Sequence, residues 1–431
     1  MSSIERILDL NRMPPGTHIV KPVNCMPKPV TDNINQKEII IMKKLISLAA
    51  LFAAISYAAP ASATTFSVGG DLGTRVRSQT YDKANQKKDD LYWQYRVRLN
   101  GSADFGDGFF AKVQVTDEAP NKTSTGGVAL GGGGGWQTIG YGNSELYTIG
   151  FSQAYFGRGY GDSHYAIGRL PLNATNNPIL DLTLYPKNPL DTPTTTFQND
   201  RLFGANYGTK VGAGELNLVV GVFDNLNSYY SSGQGNDGGL LNDGYAFIGS
   251  YKADIGGVTV EPEVLTAITR FDSVTQDTFS ATSSSYGTPW HQGVRPWTFG
   301  LNLSGNIGDL KLGASGFYNT TSGTTPDAAR YGANRNAKVD YNAYLLRVKA
   351  EYGPFLAWYD HSVAKDKSTA ATTDTYTNNF VWAQYQFKAY DSKGAKLVIQ
   401  PTLRYLTTKD EATPVNNYHR LRSELYATIS F

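Results

Sequence analysis

The sequence is poor in sulfur and in net charge. Its 431 residues include one cysteine and four methionines, and all five lie before Thr64. The chain from Thr64 onward therefore has no disulfide framework, no thiolate nucleophile and no cysteine-ligated metal. Of 39 Lys+Arg and 37 Asp+Glu residues, 7 and 4 precede Thr64, which leaves 32 basic and 33 acidic residues after it. This balance gives no reason to expect nucleic acid as a partner.

Long apolar runs are also scarce, and the one that is present lies near the front of the chain. Leu45–Ala59 is a largely apolar run of 15 residues, shorter than the roughly 18 or more expected of a membrane-spanning helix. It follows Lys43 and Lys44, and small residues of an A-x-A site come after it, ending at Ala63. This order predicts a secretory signal peptide over residues 42–63, cleaved after Ala63.

The signal peptide begins unusually far into the chain. Lys37-Glu38 can be encoded by AAGGAG, a ribosome-binding sequence, and three isoleucines then separate it from Met42. We therefore predict that translation starts at Met42 and that residues 1–41 are an extension assigned by mistake. The alternative is a genuine cytoplasmic extension. The mature chain is then residues 64–431, a single domain.

A sustained helical period of 3.6 residues is missing as well, and alternation with period two takes its place. Residues 91–105 place Leu, Trp, Tyr, Val and Phe on one face and Gln, Arg, Asn and Asp on the other. Residues 216–222, 310–318 and 344–352 repeat the pattern. Segments of this length and alternation are typical of transmembrane β-strands.

The breaks between these segments alternate in length. Short turns are predicted at 105–108, 157–162, 210–214, 254–257, 305–309, 351–354 and 391–394. Long polar connections are predicted at 81–90, 119–142, 171–199, 226–243, 272–293, 322–336, 367–375 and 410–416. The pattern predicts an all-β fold, a transmembrane antiparallel β-barrel of 16 strands with short periplasmic turns and long external loops. The alternative is a soluble β-sandwich, which does not require this alternation.

The end of the chain is consistent with the same fold. Leu425, Ala427, Ile429 and Phe431 alternate on one face, and the chain ends on the aromatic residue. This ending looks like the assembly signal of bacterial outer-membrane barrels, and it predicts that the barrel-assembly machinery binds the last strand. An ordinary amphipathic strand is the alternative interpretation.

Three stretches resemble the bacterial general diffusion porins. They are residues 95–118, residues 152–173 with the return strand 199–208, and the terminal LYATISF. The resemblance spans the mature chain, although each motif alone is loose. It implies a water-filled, homotrimeric pore in outer-membrane lipid, with a third loop that folds into the lumen and narrows it.

The chain itself supplies a segment suited to that role. The connection 171–199 has five prolines, and its apolar residues at 179–184 favour packing inside the lumen over an outward surface loop. The charged residues of this candidate constriction loop are Asp181, Lys187 and Asp191. The acidic Pro-Glu-Phe-Gly type of motif that many porins carry is not present.

Arginines dominate the polar faces of the first two and last two strands. The predicted pore-lining basic arc consists of Arg75, Arg77, Arg96, Arg98, Arg404, Arg420 and Arg422. Barrel closure sets the last strand beside the first, so the seven form one arc. A basic arc favours anions, and Arg96 matches a position where the porin family carries a lumenal arginine. The alternative is that these arginines are simply solvated, or paired with Asp104 and Glu424.

Catalytic and cofactor motifs are not found in the sequence. Ser163-His164 and His361-Ser362 are adjacent pairs on predicted strands, so their side chains point to opposite faces. The histidines have no metal-ligand spacing. The GGGGGW run at 131–136 lacks the Lys-Ser/Thr of a phosphate loop, and we interpret it as a flexible part of the second external loop. The sequence therefore predicts no enzyme and no cofactor.

The predicted function is an outer-membrane porin for passive diffusion of small hydrophilic solutes and ions, with a mild anion preference. Two alternatives remain open. One is a substrate-selective channel for an anion or a sugar, with Tyr92, Trp382 and Tyr390 stacking on the solute. The other is a non-conducting barrel adhesin.

Overall fold

The computed structural model describes residues 65–83, 86–117, 121–122, 128–129, 136–138, 149–171, 177–190, 201–224, 244–268, 295–324, 338–368 and 373–431. The predicted extension (1–41) and signal peptide (42–63) lie outside these residues and stay predictions. Within the described ranges, no helix has the length and apolar character needed to cross a membrane.

The described chain forms one closed antiparallel barrel of sixteen strands. The first eight are β1 Thr65–Lys83, β2 Gln86–Gly106, β3 Phe109–Asp117, β4 Ile149–Tyr160, β5 Ser163–Pro171, β6 Arg201–Val211, β7 Gly214–Asp224 and β8 Gly244–Ile255. The others are β9 Val258–Ile268, β10 Arg295–Ile307, β11 Leu310–Thr324, β12 Lys338–Tyr352, β13 Phe355–Asp366, β14 Asp374–Tyr385 with its continuation Phe387–Asp391, β15 Lys396–Asp410 and β16 Tyr418–Ser430.

Each strand pairs with its neighbours in sequence, and β16 pairs with β1 to close the barrel. The closing register runs from Asp71 opposite Ser430 to Lys83 opposite Tyr418. The backbone of Phe431 continues it, because Gly70 N donates to Phe431 O at 2.9 Å and Phe431 N donates to Gly70 O at 3.1 Å. The predicted fold class is confirmed.

Five smaller elements lie between the strands in the described part of the chain. A short helix, α1 Ile179–Leu184, follows β5, and a 3₁₀ turn, Pro414–Asn416, precedes β16. Asn121–Lys122 pairs with Val128–Ala129, and Gln137–Thr138 pairs with β2.

The seven short turns all fall where the sequence predicts them. Gly212 and Gly308 have φ of +60° and +59°, in the left-handed region that favours glycine, at two of these turns. We call the end of the barrel that carries these turns the turn side, and the opposite end the loop side.

One predicted connection is wrong. The sequence predicts a long loop over 81–90, but β1 continues to Lys83 and β2 begins at Gln86, with paired residues from Thr65–Asp104 to Lys83–Gln86. The residues at this tip are polar on both faces, so the period-two signal disappears although the strands continue. Alternation reports a strand with one apolar face, not a strand as such.

The two faces of the barrel differ in polarity. Along β10, Trp297, Phe299 and Leu301 are exposed, and Pro296 and Thr298, which point to the other face, are buried. The exposed residues of this outer face are mainly apolar, and the inner face carries most of the buried polar groups. An apolar outer band around a polar interior is the arrangement of membrane barrels.

Candidate functional site

The closing seam of the barrel brings the seven predicted arginines together. They lie on the inner face of β1, β2, β15 and β16, which are consecutive around the closed sheet. Arg75 and Arg420 are buried, with 6% and 9% of their surface exposed. We call these seven residues the arginine arc.

Glu424 on β16 lies at the centre of the arc and contacts three of its arginines. Its Oε1 lies 2.5 Å from Arg77 Nε and 3.6 Å from Arg75 Nη1, and its Oε2 lies 2.7 Å from Arg404 Nε. Tyr426 adds to this group, because its hydroxyl donates to Glu424 Oε2 at 3.0 Å and accepts from Arg404 Nη2 at 2.8 Å. One fully buried carboxylate therefore neutralises part of the charge of three guanidinium groups.

Asp71 on β1 holds the turn-side end of the arc. Arg96 donates to Asp71 Oδ1 from Nε and Nη2 at 3.1 and 3.0 Å, and Arg98 Nε donates to Oδ2 at 2.7 Å. The suggested pairing of the arc with Asp104 is wrong. The Asp104 carboxylate instead accepts from the backbone N–H of Gly106 at the adjacent turn.

Arg422, on the loop side of Glu424, has a different environment. Among the described residues, no carboxylate lies within 4.0 Å of its guanidinium group. Its Nε donates to the neutral Gln79 at 2.6 Å, and Arg404 is directly opposite it on β15. Together with Asp71 and Glu424, the seven arginines of the arc carry a formal net charge of +5.

A residue that the sequence interpretation missed lies against the arc. The ring centroid of Trp136 is 4.5 Å from Arg75 Cζ and 4.7 Å from Arg96 Cζ. Guanidinium groups at this distance from an indole face make cation–π contacts. The sequence around Trp136 is rich in glycine and polar residues. It gave no reason to place the tryptophan inside the barrel.

The second part of the site is α1 and the residues around it, 177–190, which we call the inner segment. Leu182 of α1 is fully buried, and Leu190 has 1% of its surface exposed. They belong to one cluster with Leu265, Phe317 and Leu345, which lie on the inner face of β9, β11 and β12. The apolar residues of this segment are thus covered by the inner wall.

Polar contacts attach both ends of the inner segment to the wall. Asn177 Nδ2 donates to Glu263 Oε2 at 2.6 Å, and Asn302 Nδ2 donates to the other oxygen at 2.7 Å. In α1 itself, the hydroxyls of Thr183 and Thr298 are 2.6 Å apart. These contacts span β9 and β10.

Lys187 attaches the other end to β13 and β14. Its Nζ is 2.6 Å from Asp366 Oδ2, and its backbone carbonyl accepts from Asn378 Nδ2 at 2.8 Å. Burial opposes the charge on Lys187, but Tyr341 and the Asp366 carboxylate together raise the pKa of its ammonium group above the usual value.

The other two charged residues of the candidate constriction loop are Asp181 and Asp191, and the structure describes only the first of them. Asp181 lies in α1 and is buried, with 1% of its surface exposed. Asp191 lies outside the described residues.

Of the three aromatic residues suggested for solute stacking, Trp382 and Tyr92 contact other side chains of the barrel. Trp382 stacks on Trp358 with centroids 4.6 Å apart and an interplanar angle of 12°, and Arg404 Cζ is 3.8 Å from its centroid. The Tyr92 hydroxyl accepts from Gln79 Nε2 at 3.1 Å. Tyr390 is exposed near the last turn. The structure does not bring the three together.

The serine–histidine neighbours have separate partners. Ser163 Oγ is 2.8 Å from Thr209 Oγ1, and Ser362 Oγ accepts from Asn378 Nδ2 at 3.2 Å. The His361 ring contacts Asn379 on the opposite face of the sheet. In the part of the chain that the structure describes, no group of three or more His, Cys, Asp or Glu residues could hold a metal ion.

Comparison with known proteins rests on structure alone, since no protein family model and no curated protein matches the sequence. A loop L8 deletion mutant of OmpT, an outer membrane protein of Vibrio cholerae, matches with a TM-score of 0.51 and 10% identity, over 86% of this chain and 100% of that chain. The chain has the fold of an outer-membrane barrel. In-vitro folded OmpT of the same organism gives 0.50 and 10%, over 86% and 99%. The anion-selective porin from Comamonas acidovorans gives 0.49 and 12%, over 85% and 100%. At these identities the similarity is one of fold.

Proposed function

We propose that this chain forms a water-filled channel in the bacterial outer membrane, through which small hydrophilic solutes and ions diffuse passively. The observation that carries the proposal is the contrast between an apolar outer face and an inner face with the arginine arc. The arc has seven arginines and, among its described partners, only two carboxylates, and this excess charge favours water inside the barrel, because an uncompensated charge is costly in an apolar interior. The proposal includes export by the signal peptide, which the basic, apolar and A-x-A segments of residues 42–63 support, and assembly as a homotrimer, which the porin resemblance supports.

We propose that the aperture lies between the inner segment and the wall. The segment is attached to β9, β10, β13 and β14, and the arginine arc lies on β15, β16, β1 and β2. Solutes would pass between these two groups. Size would then be limited by the inner segment, and the sign of the preferred ion by the net positive charge of the arc.

The direct test is a planar bilayer measurement on refolded residues 64–431 under a salt gradient. Conductance steps that close in threes, with a reversal potential on the anion side, are the expected result. Cation preference would keep the channel and refute the role of the arc. A correctly folded barrel that passes no current would refute the proposed function and favour the adhesin.

Within the arc, Arg422 is expected to contribute most to ion preference, because no carboxylate of the described residues lies within 4.0 Å of its guanidinium group. Removing a unit charge about 4 Å from a passing ion in water changes its energy by about 1 kcal/mol, which is a roughly five-fold change in a ratio. Arg422→Gln should therefore lower the anion-to-cation permeability ratio by about that factor. The measurement is the reversal potential in a salt gradient.

Arg158→Gln is the matched control. It removes the same charge at the turn side, where the Arg158 guanidinium lies 4.3 Å from the Phe109 ring centroid, away from the arc. It should leave the permeability ratio close to that of the parent protein. Equal shifts for the two variants would mean that total charge, and not the position of Arg422, sets the preference.

A further inference from the structure

The inner wall has a notch at Gly73, and the Trp136 indole lies in it. A Cβ built on Gly73 would lie 3.0 Å from Trp136 Cη2 and 3.2 Å from Thr428 Oγ1. Any larger side chain at this position would therefore compete with the ring for space. Gly73 is buried, and its φ is outside the left-handed region, so close approach by the ring, and not backbone conformation, explains glycine here.

Three further side chains complete the notch. Arg75 and Arg96 contact the ring through their guanidinium groups, and the Tyr426 ring meets it edge-on, with centroids 5.4 Å apart and an interplanar angle of 74°. We call Gly73, Arg75, Arg96 and Tyr426 the indole seat. Two of them are themselves fixed by carboxylates, Arg96 by Asp71 and Arg75 by Glu424.

The backbone that follows Trp136 is also fixed to the wall. Gln137 pairs with Tyr95 and Thr138 pairs with Gln94 as antiparallel neighbours of β2. Gln94 Oε1 in turn accepts from Arg75 Nε at 2.8 Å. The ring is therefore positioned by strand pairing next to it, as well as by its own contacts.

We propose that Trp136 is a wedge that narrows the aperture beside the arginine arc, and that the indole seat is a built site for a flat aromatic ring. The effect on conductance rests on the proposed function, whereas the seat does not. The long connection before β4 thus supplies a second inward element, on the side of the barrel opposite the attachment of the inner segment. Trp136 acts on passage through its volume, and the arginines act through their charge.

The test is to remove the Trp136 side chain from the indole seat and then to add free indole. Trp136→Gly should increase single-channel conductance without reversing the ion preference, because the charges of the arc stay in place. Free indole should then return the conductance of this variant toward the parent value. Indole should also raise the midpoint of urea unfolding of Trp136→Gly, and not of the parent, because a ligand stabilises the folded state that binds it.

A second variant reaches the seat from the other side. Gly73→Val should displace the ring and increase conductance with Trp136 present, and indole should have no effect because the valine fills the notch. Trp297→Gly is the control, since Trp297 is an exposed residue of the outer face that stacks on Phe299. It should change neither conductance nor the response to indole.

The outcomes separate this inference from the proposed function. If the parent conducts and Trp136→Gly conducts equally, the wedge is refuted and the channel stands. If the parent passes no current, the channel is refuted, and the seat is judged by urea unfolding with indole. Indole that stabilises the parent and Trp136→Gly equally, or neither, refutes the seat.

Discussion

Glu424→Gln should destabilise the barrel and increase its anion preference at the same time. The carboxylate has no exposed side-chain surface, and it lies within 4.0 Å of nitrogen atoms of Arg75, Arg77 and Arg404. Removing one partner of a buried ion pair costs about 3–5 kcal/mol, because the remaining charges stay buried without compensation. The oxygen of an amide can still accept hydrogen bonds, but a neutral group cannot offset three guanidinium charges.

The measurement is the midpoint of urea unfolding of the barrel refolded into lipid vesicles, followed by the reversal potential of the surviving channels. Glu351→Gln is the control, because Glu351 lies at the turn side and pairs with Lys349 at 2.7 Å. It should leave both quantities near their parent values, as expected of a partly exposed ion pair. Parent-like stability of Glu424→Gln would contradict a central role for this carboxylate.

Arg422→Gln should have a different pair of effects from Glu424→Gln. It should reduce anion preference, and it should not reduce stability, because Arg422 faces Arg404 across the β15–β16 pair. Like charges directly opposite each other in a sheet are destabilising. Glu424→Gln should raise anion preference and lower stability, whereas Arg422→Gln should lower anion preference without lowering stability. This result would show that the charge in the pore and the stability of the β16–β1 seam can be changed independently.

Leu182→Ala should release the inner segment and widen the channel. Leu182 is fully buried in the cluster that joins α1 to Leu265 and Leu345. Replacing a buried leucine by alanine costs about 2–5 kcal/mol. The inner segment is attached to the wall by the apolar residues of this cluster and by a few polar contacts. A loss of this size is large relative to that attachment, so single-channel conductance should rise.

Release of the segment can be measured independently of current. Lys187 is mostly buried, and its Nζ is 2.6 Å from Asp366 Oδ2, so a lysine-specific protease should cut after it slowly in the parent and faster in Leu182→Ala. Leu182→Met is the control, because volume-conserving substitutions are tolerated best. Faster cleavage with unchanged conductance would show that the segment is released but does not narrow the pore.

Much of the fold could be predicted because a membrane barrel restricts its sequence strongly. The alternation along β11 and β12 reflects their apolar and polar faces, and the glycines of the turns reflect backbone geometry. Both signals are local in the sequence. Only the tip of the β1–β2 hairpin, residues 81–90, was predicted wrongly, because it is polar on both faces. The arrangement of the arginines could be predicted from the strand order. Alternate residues of each strand face the inner wall, and closure of the barrel places the last strand beside the first.

The partners of those arginines could not be predicted in the same way. Asp71 and Asp104 are both polar-face candidates in the sequence, and only the register of β1 with β2 shows that Asp71 lies opposite Arg98. Trp136 was missed because its position depends on how a long connection returns to the wall. Strand parity carries no information about such a connection. The reason for a glycine at position 73 is visible only when the Trp136 ring is placed against it.

The position of the arginine arc on the closing seam sets when it can form during biogenesis. Glu424 is 347 residues from Arg77 in the chain, so Arg75 and Arg77 receive this carboxylate only when the last strand reaches the first. Contacts between such distant residues form late, because the whole intervening chain must be ordered first. The final step of barrel assembly would therefore also be the step that creates the selective field, and a partly inserted chain would lack the electrostatic barrier of the finished protein.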